Sequence, residues 1–264
     1  MNAVIKYEPV KGILDRDLAI ASNKAIIDKY SPYLKELTNY GTALMTRCEK
    51  SLGGCGGTPL SLIALFYHTI QMTDGFQVLI SKSCFSASVP LLRSLLESVL
   101  SLEYMLEDDF EARSAAWLVK HYVDRKRSYF AMDPATEEGK KFQQLLKADK
   151  FACHTDLKMP SADDIKKEID QIDEMLARPK FKEICRLFKG KNRIKKWYQI
   201  NNGPKSLEEL ANQLHRPIDY NMFYRDYSSI SHALDCSRIV EKLDDAVVFT
   251  PIRSARSSGD QICI

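Results

Sequence analysis

The side chains best suited to chemistry in this chain stand together near residue 225. The run from Ile218 to Leu234 reads IDYNMFYRDYSSISHAL. On a helix, Asn221, Arg225, Ser228, Ser229 and His232 recur at spacings of three, four and seven and share one face. Met222, Phe223, Tyr227, Ile230 and Leu234 form a second, apolar stripe that would face a core. Arg225 and His232 then lie two turns apart, about 10 Å along the axis, from where long side chains converge on a ligand or on a two-fold axis. An imidazole titrates near neutrality and serves as a general base. A permanently charged guanidinium fork stabilises developing anionic charge. Asp226, Ser229 and Asn221 are the auxiliary residues that would orient the pair.

A structural alternative uses the same residues. Arg93 and Glu97 sit four apart on one face of a segment that is otherwise apolar, with Leu91, Leu92, Leu95, Leu96, Val99 and Leu100 around them. A carboxylate there must be paired if it is buried. Glu97 could therefore take Arg225 and His232 into a polar network that orders the core. A third arrangement is a pocket for a small nucleotide, lined by Glu97, Arg225 and His232.

A second candidate region is basic. Between Arg178 and Lys196 lie seven further lysines and arginines opposed by Glu183 alone, and Trp197 and Tyr198 follow. Lys189, Lys191, Arg193, Lys195 and Lys196 could grip RNA phosphates while Trp197 stacks a base. The plainer reading is a solvated helix face and loop. His121 and Asp124, three apart, are the one metal-ligand pairing on a helix. No Glu-x-x-His is present, as a carboxylate-bridged metal bundle would require, so no metal is expected. The seven cysteines are scattered, odd in number and without a C-x-x-C pair, which predicts reduced thiols and no structural zinc.

Arg225–Asp226 followed by His232 resembles the R-x(4–6)-H motif of HEPN domains, in which a polar residue often follows the arginine. Leu91–Glu97, together with Tyr227, Ser231 and His232, is also similar to a family of uncharacterised bacterial helical proteins near the HEPN group. The resemblance spans roughly residues 40–240, with 133–204 the least typical part. It implies a helical bundle with the motif on a late helix. It also implies a metal-independent endoribonuclease that acts as a homodimer on RNA, with toxin or anti-phage roles and an antitoxin or other protein partner. Such an enzyme would work by transesterification. His232 would deprotonate a ribose 2′-hydroxyl, and Arg225 would stabilise the phosphoryl oxygens. The products would be a 2′,3′-cyclic phosphate and a 5′-hydroxyl, with no cofactor. Relatives that have lost activity serve as binding modules, so a non-catalytic helical interaction module is the alternative.

The elements that must position these residues are legible as helices. Residues 15–52 form one long helix that Pro32 should kink or split. Gly53, Gly54, Gly56 and Gly57 mark a connector without the lysine of a phosphate-binding loop. A helix comes next and runs to about residue 82. Its successor, capped by Ser86 or Ser88, is apolar almost all round and should be central and buried. A third covers about 109–131. Residues 133–204 read as a charged helical insertion, with amphipathic pieces at 135–148 and 161–177. Ser206 to Glu209 form a capping box for a helix at 207–215. A last long helix is expected over 218–243, then a short irregular or β-prone tail. The class is all-α: one helical domain over 1–264, with core helices at 15–132 and 205–243, an insertion at 133–204 and a tail at 244–264.

Composition narrows the rest. The 264 residues are 45% hydrophobic and carry a net charge of only +3, so no whole-molecule field argues for nucleic acid. The amino-terminal run MNAVIKYEPVKG has no apolar signal core. The apolar run at 59–72 is too short to cross a bilayer, and Arg93, Glu97 and Glu103 interrupt that at 84–106. A cytoplasmic protein without membrane partners is expected.

Overall fold

The computed structural model describes residues 14–51, 59–150, 160–191, 193–231, 240–243, 246–249 and 252–253. The protein is all-α, as the periodicity predicts. Its helices are α1 (Arg16–Ser22), α2 (Lys24–Ser51), α3 (Pro59–Ser81), α4 (Phe85–Glu107), α5 (Phe110–Met132), α6 (Glu137–Ala148), α7 (Ala162–Ala177), α8 (Pro179–Leu187), α9 (Leu207–Gln213) and α10 (Arg225–Ser231). A 3-10 turn spans Trp197–Asn202 and a π-helical turn spans Asp219–Tyr224. Strands β1 (Val240–Leu243) and β2 (Ala246–Phe249) form an antiparallel hairpin, pairing Val240 with Phe249 and Leu243 with Ala246.

The chain divides into two compact units. One comprises Met1–Gly53, Ile63–Ser101 and His215–Ile264; the other comprises Gly54–Leu62 and Leu102–Leu214. The division falls inside α3, inside α4 and after Leu214. The charged stretch therefore shares its unit with α5.

In the first unit, Phe76, Ile80 and Phe85 form a core cluster against Ile26, Ile27, Leu34, Leu91 and Leu92. Burying side chains of this size stabilises by about 1.5–3 kcal/mol each. Gly41 is buried on α2, where a Cβ would sit 3.0 Å from Ile70 Cγ1, so this glycine lets α2 and α3 approach closely. The expected break in the first helix falls at Asn23 rather than Pro32, and α2 runs through the proline. The break has a polar cause. Asn23 Nδ2 donates to Ala19 O (2.8 Å), Ser83 Oγ (2.6 Å) and Arg253 O (3.0 Å). Ser83 is fully buried with φ +60 and donates to Arg253 O in turn (3.1 Å). Arg253 Nη1 returns a bond to Lys82 O (2.9 Å). This knot fixes the α1–α2 junction, the α3–α4 turn and the turn at 252–253.

α4 begins at Phe85, ahead of both expected caps, and Ser88 lies inside it, buried, donating to Phe85 O. The helix is less buried than its composition suggests: Val89, Leu100, Tyr104 and Met105 are core residues, while positions 91–97 are only partly covered. Among the described residues it is the one helix long and apolar enough to cross a membrane by length and composition, with 28% of its most apolar window buried.

In the second unit, α5 is the hub, packing against α6, α7, α8 and the 3-10 turn. Leu118, Val119, Ile165, Ile172, Phe181, Cys185 and Phe188 are buried. Burial raises the Cys185 thiol pKa, and the charge of Lys189 only partly offsets this. α6 and α7 are capped by Thr136 and Ser161, the latter in a reciprocal capping box with Asp164. Two glycines are obligatory by close approach. A Cβ at Gly139 would lie 1.7 Å from Asp133 O, and one at Gly203 would lie 2.0 Å from Tyr198 O. Tyr198 O also accepts from Tyr104 Oη (3.2 Å).

Candidate functional site

The last helix differs from the regular one expected over 218–243. Asp219–Tyr224 is a π-helical turn, and the Arg225 N–H reaches the Tyr220 carbonyl five residues back. α10 continues to Ser231, and 240–243 is strand rather than helix. A π turn carries more residues than an α turn, so it shifts the phase of the residues before Arg225 relative to those of α10. The predicted stripes are correspondingly reorganised. Met222, expected in the core, is 61% exposed, whereas Tyr227 is 3% exposed beside Phe223, with ring centroids 6.0 Å apart.

Tyr224 and Ser228 are the residues of this segment that meet α4. Arg93 Nη2 donates to Tyr224 Oη (2.8 Å), and Nη1 reaches Ser228 Oγ (3.4 Å). Its guanidinium carbon lies 4.6 Å from the centre of the Tyr224 ring, which stacks on Tyr220 at 5.2 Å. Arg93 Nε donates to Glu97 Oε1 (3.3 Å). Burial pulls the Arg93 pKa down, but the hydrogen bond and charge of Tyr224, and then those of Glu97, outweigh it, and the net direction is up. Burial likewise raises the Tyr224 hydroxyl, against the opposing bond from Arg93. Next along α4, Ser94 Oγ is 3.1 Å from His68 Nε2, a partner that spacing alone did not reveal.

Glu97 is thus engaged by Arg93 on its own helix. Arg225 is exposed, and among the described residues its side chain makes one long bond, Nη1 to Asn221 Oδ1 at 3.4 Å. Asn221 is itself anchored, donating to Pro217 O (2.9 Å). Asp226 is exposed in the first turn of α10. Ser229 belongs to α10 by its backbone, but its side chain lies outside the described residues, as does His232 entirely. Tyr224 is the residue that sequence reasoning missed. The available signal was the pair Tyr220 and Tyr224, four apart, whose rings make a platform for an arginine.

In the second unit, Lys189, Lys191, Arg193, Lys195 and Lys196 are all exposed. Trp197 is not available to stack a base. It is 8% exposed, with its ring 5.8 Å from that of Tyr104, and Tyr198 is buried beside it. The 3-10 turn carries both aromatics, and both are buried at the end of the basic segment. Among the described residues no group of three His, Cys, Asp or Glu side chains could hold a metal ion. Cys153 and His154 lie outside those residues.

A family of unknown function, DUF5677, matches residues 61–245, well over half of the chain. The protein belongs to that family. No curated protein and no solved structure matches it. The DUF5677 span begins inside α3 and ends between β1 and β2. It includes Arg93, Glu97, Tyr224, Arg225 and His232, and it leaves out α1 and α2.

Proposed function

We propose that this DUF5677 protein is a metal-independent endoribonuclease of the HEPN type, acting through Arg225 and His232. The supporting observation is the exposure of Arg225 together with the engagement of Glu97 elsewhere. A purely structural network would need the Glu97 carboxylate to pair with Arg225, and Arg93 holds it instead. That leaves a guanidinium open to an external phosphodiester, directly after a π turn, a distortion frequent at functional sites. Asn221 positions the Arg225 side chain from below. Asp226 and Ser229 are the auxiliary groups of this reading, and Arg93 and Glu97 hold α10 in place.

Chemically, His232 takes the proton from the ribose 2′-oxygen, that oxygen forms a bond to phosphorus, and the bond to the 5′-oxygen breaks. Arg225 stabilises the charge on the non-bridging oxygens. The reading carries with it a cytoplasmic location, a homodimer that brings two motifs together, and a toxin or anti-phage role restrained by a protein partner.

The test is incubation of purified protein with total RNA in EDTA, beside Arg225→Ala and His232→Ala. Cleavage that leaves cyclic phosphate ends and disappears in both folded variants supports the reading; an intact substrate with all three proteins refutes it.

A second reading, a non-catalytic interaction module, has its own observation. A groove of about 260 Å³ on the first unit is lined almost wholly by apolar side chains, among them Ile26, Tyr33, Leu37, Phe76, Leu92 and Leu95.

A further inference from the structure

The basic segment does more than project charge. Together with α5 it encloses a cleft of about 320 Å³ in the second unit, within the size range of small-ligand sites, about 300–1,000 Å³. Its apolar lining is formed by Val123, Ile194 and the buried Phe188. Its cationic lining is formed by Lys120 and Arg127 from α5 and by Arg193, Lys195 and Lys196 from the loop. Asp124 is the single carboxylate, and it is engaged twice: Lys120 donates to it, and Arg127 Nη1 lies 3.7 Å from it. Lys120, Asp124 and Arg127 share one face of α5 at spacings of four and three. Arg193, Lys195 and Lys196 are exposed and form no ion pair among the described residues.

The loop is also held in shape. Gln199 Oε1 accepts from the backbone N–H groups of both Lys195 (2.7 Å) and Lys196 (3.0 Å). Gln199 Nε2 donates to Lys205 O (3.1 Å), and Ile194 N bonds Leu187 O (2.9 Å). Cations presented from a fixed backbone lose less entropy on binding than cations on a free loop.

A lining that is part apolar and part cationic matches a molecule having a flat, weakly hydrated body and an anionic group at its edge. We propose that this cleft is a nucleotide site. Arg193, Lys195 and Lys196 take a phosphate, and the base lies against Val123 and Ile194 with the Arg127 or Arg193 guanidinium plane available to stack on it. The ligand is either a free nucleotide or one residue of a single strand; the phosphate and base chemistry is common to both. Occupancy does not depend on cleavage at Arg225 and His232, so the two proposals fail separately.

The experiment uses the full chain and a fluorescent 2′-O-methyl oligoribonucleotide, which has no 2′-hydroxyl and cannot be cleaved by transesterification. Binding is followed by anisotropy from about 50 to about 200 mM salt. Single-strand affinity falls with a slope of about −0.7 per phosphate contact on logarithmic axes, so Arg193→Gln/Lys195→Gln should flatten the slope by about 1.4. Lys140→Gln/Lys141→Gln, which removes as much charge from α6, should leave it unchanged. Equal slopes for the wild type and the cleft variant, or equal flattening in the control, would overturn the site. Displacement of the strand by a nucleoside monophosphate or triphosphate assigns the cleft to free nucleotides. Binding of the strand without such displacement assigns it to RNA. An abasic strand held as tightly as the complete one would overturn the seating of a base.

Discussion

Arg93 and Arg225 should separate stability from activity. Arg93 makes a 2.8 Å charge-assisted bond to Tyr224 and lies 4.6 Å from that ring's centre, with its side chain 24% exposed. A hydrogen bond to a charged group contributes about 1.5–3 kcal/mol, and a cation–π contact at a half-exposed site about 0.5–1 kcal/mol. Partial solvent screening favours the lower ends, so Arg93→Ala should cost about 2 kcal/mol. At about 2–4 °C per kcal/mol for a protein of this size, Tm should fall by roughly 4–8 °C. Arg93→Lys keeps the charge but loses the fork, so it should recover only part of that loss. A cycle with Tyr224→Phe should reveal coupling between the two positions. Arg225→Ala removes an exposed side chain with one long bond and should stay within about 0.5 kcal/mol of the wild type. On the proposed chemistry the same substitution should reduce RNA cleavage by about 10²–10³-fold, the usual cost of removing one group that stabilises a developing oxyanion. The assay is thermal and urea unfolding alongside cleavage of a labelled RNA in EDTA. If Arg225→Ala melts as early as Arg93→Ala, Arg225 is a structural residue and the division of roles is wrong.

Packing and titration lead to two further outcomes. Gly139→Ala sets a methyl group 1.7 Å from a backbone oxygen that cannot swing away, so it should destabilise the second unit by at least the roughly 1–3 kcal/mol typical of overpacking, visible as a lower urea midpoint. Burial raises the pKa of Tyr104, Tyr224 and Tyr227 above the ordinary value of 10.0, most strongly opposed at Tyr104 by Arg113 and at Tyr224 by Arg93. Their folded forms hold protons that the unfolded chain releases. Stability is therefore full below about pH 10 and declines as pH rises through the raised values. Urea midpoints should hold from pH 8 to about pH 10 and fall above it, and Tyr224→Phe should make the fall shallower.

Much of the architecture was legible because it rests on local signals. Helical periodicity placed α3, α5, α7 and α9 to within a few residues, and the Ser206 cap does accept from Glu209 N at 3.1 Å. What the sequence concealed depends on long-range or irregular geometry. Pro32 is a local breaker, yet the break occurs at Asn23, whose acceptors at Ser83 and Arg253 are remote in sequence. The polar face drawn through Asn221, Arg225 and Ser228 assumed 3.6 residues per turn throughout. Arg225 and Asn221 do remain neighbours, but it is Tyr224, in the π turn, and Ser228 that meet Arg93, while Arg225 is exposed. Trp197 was legible as an aromatic beside cations but not as a core residue, because its burial depends on Tyr104 almost a hundred positions earlier.

The knot at Asn23 also sets an order of events during synthesis. The bond from Asn23 to the Arg253 carbonyl cannot form until that residue has been made, 230 residues after its partner. At about 5–20 residues per second, that interval is roughly 10–50 s. The second unit, complete at Leu214, emerges whole within that time. Until then the core of Phe76, Ile80 and Phe85 has its partners on α2 and α4, but the α1–α2 junction and the α3–α4 turn lack their late acceptor. The nascent chain therefore passes through a stage in which the second unit is finished and the polar knot at Asn23 is not.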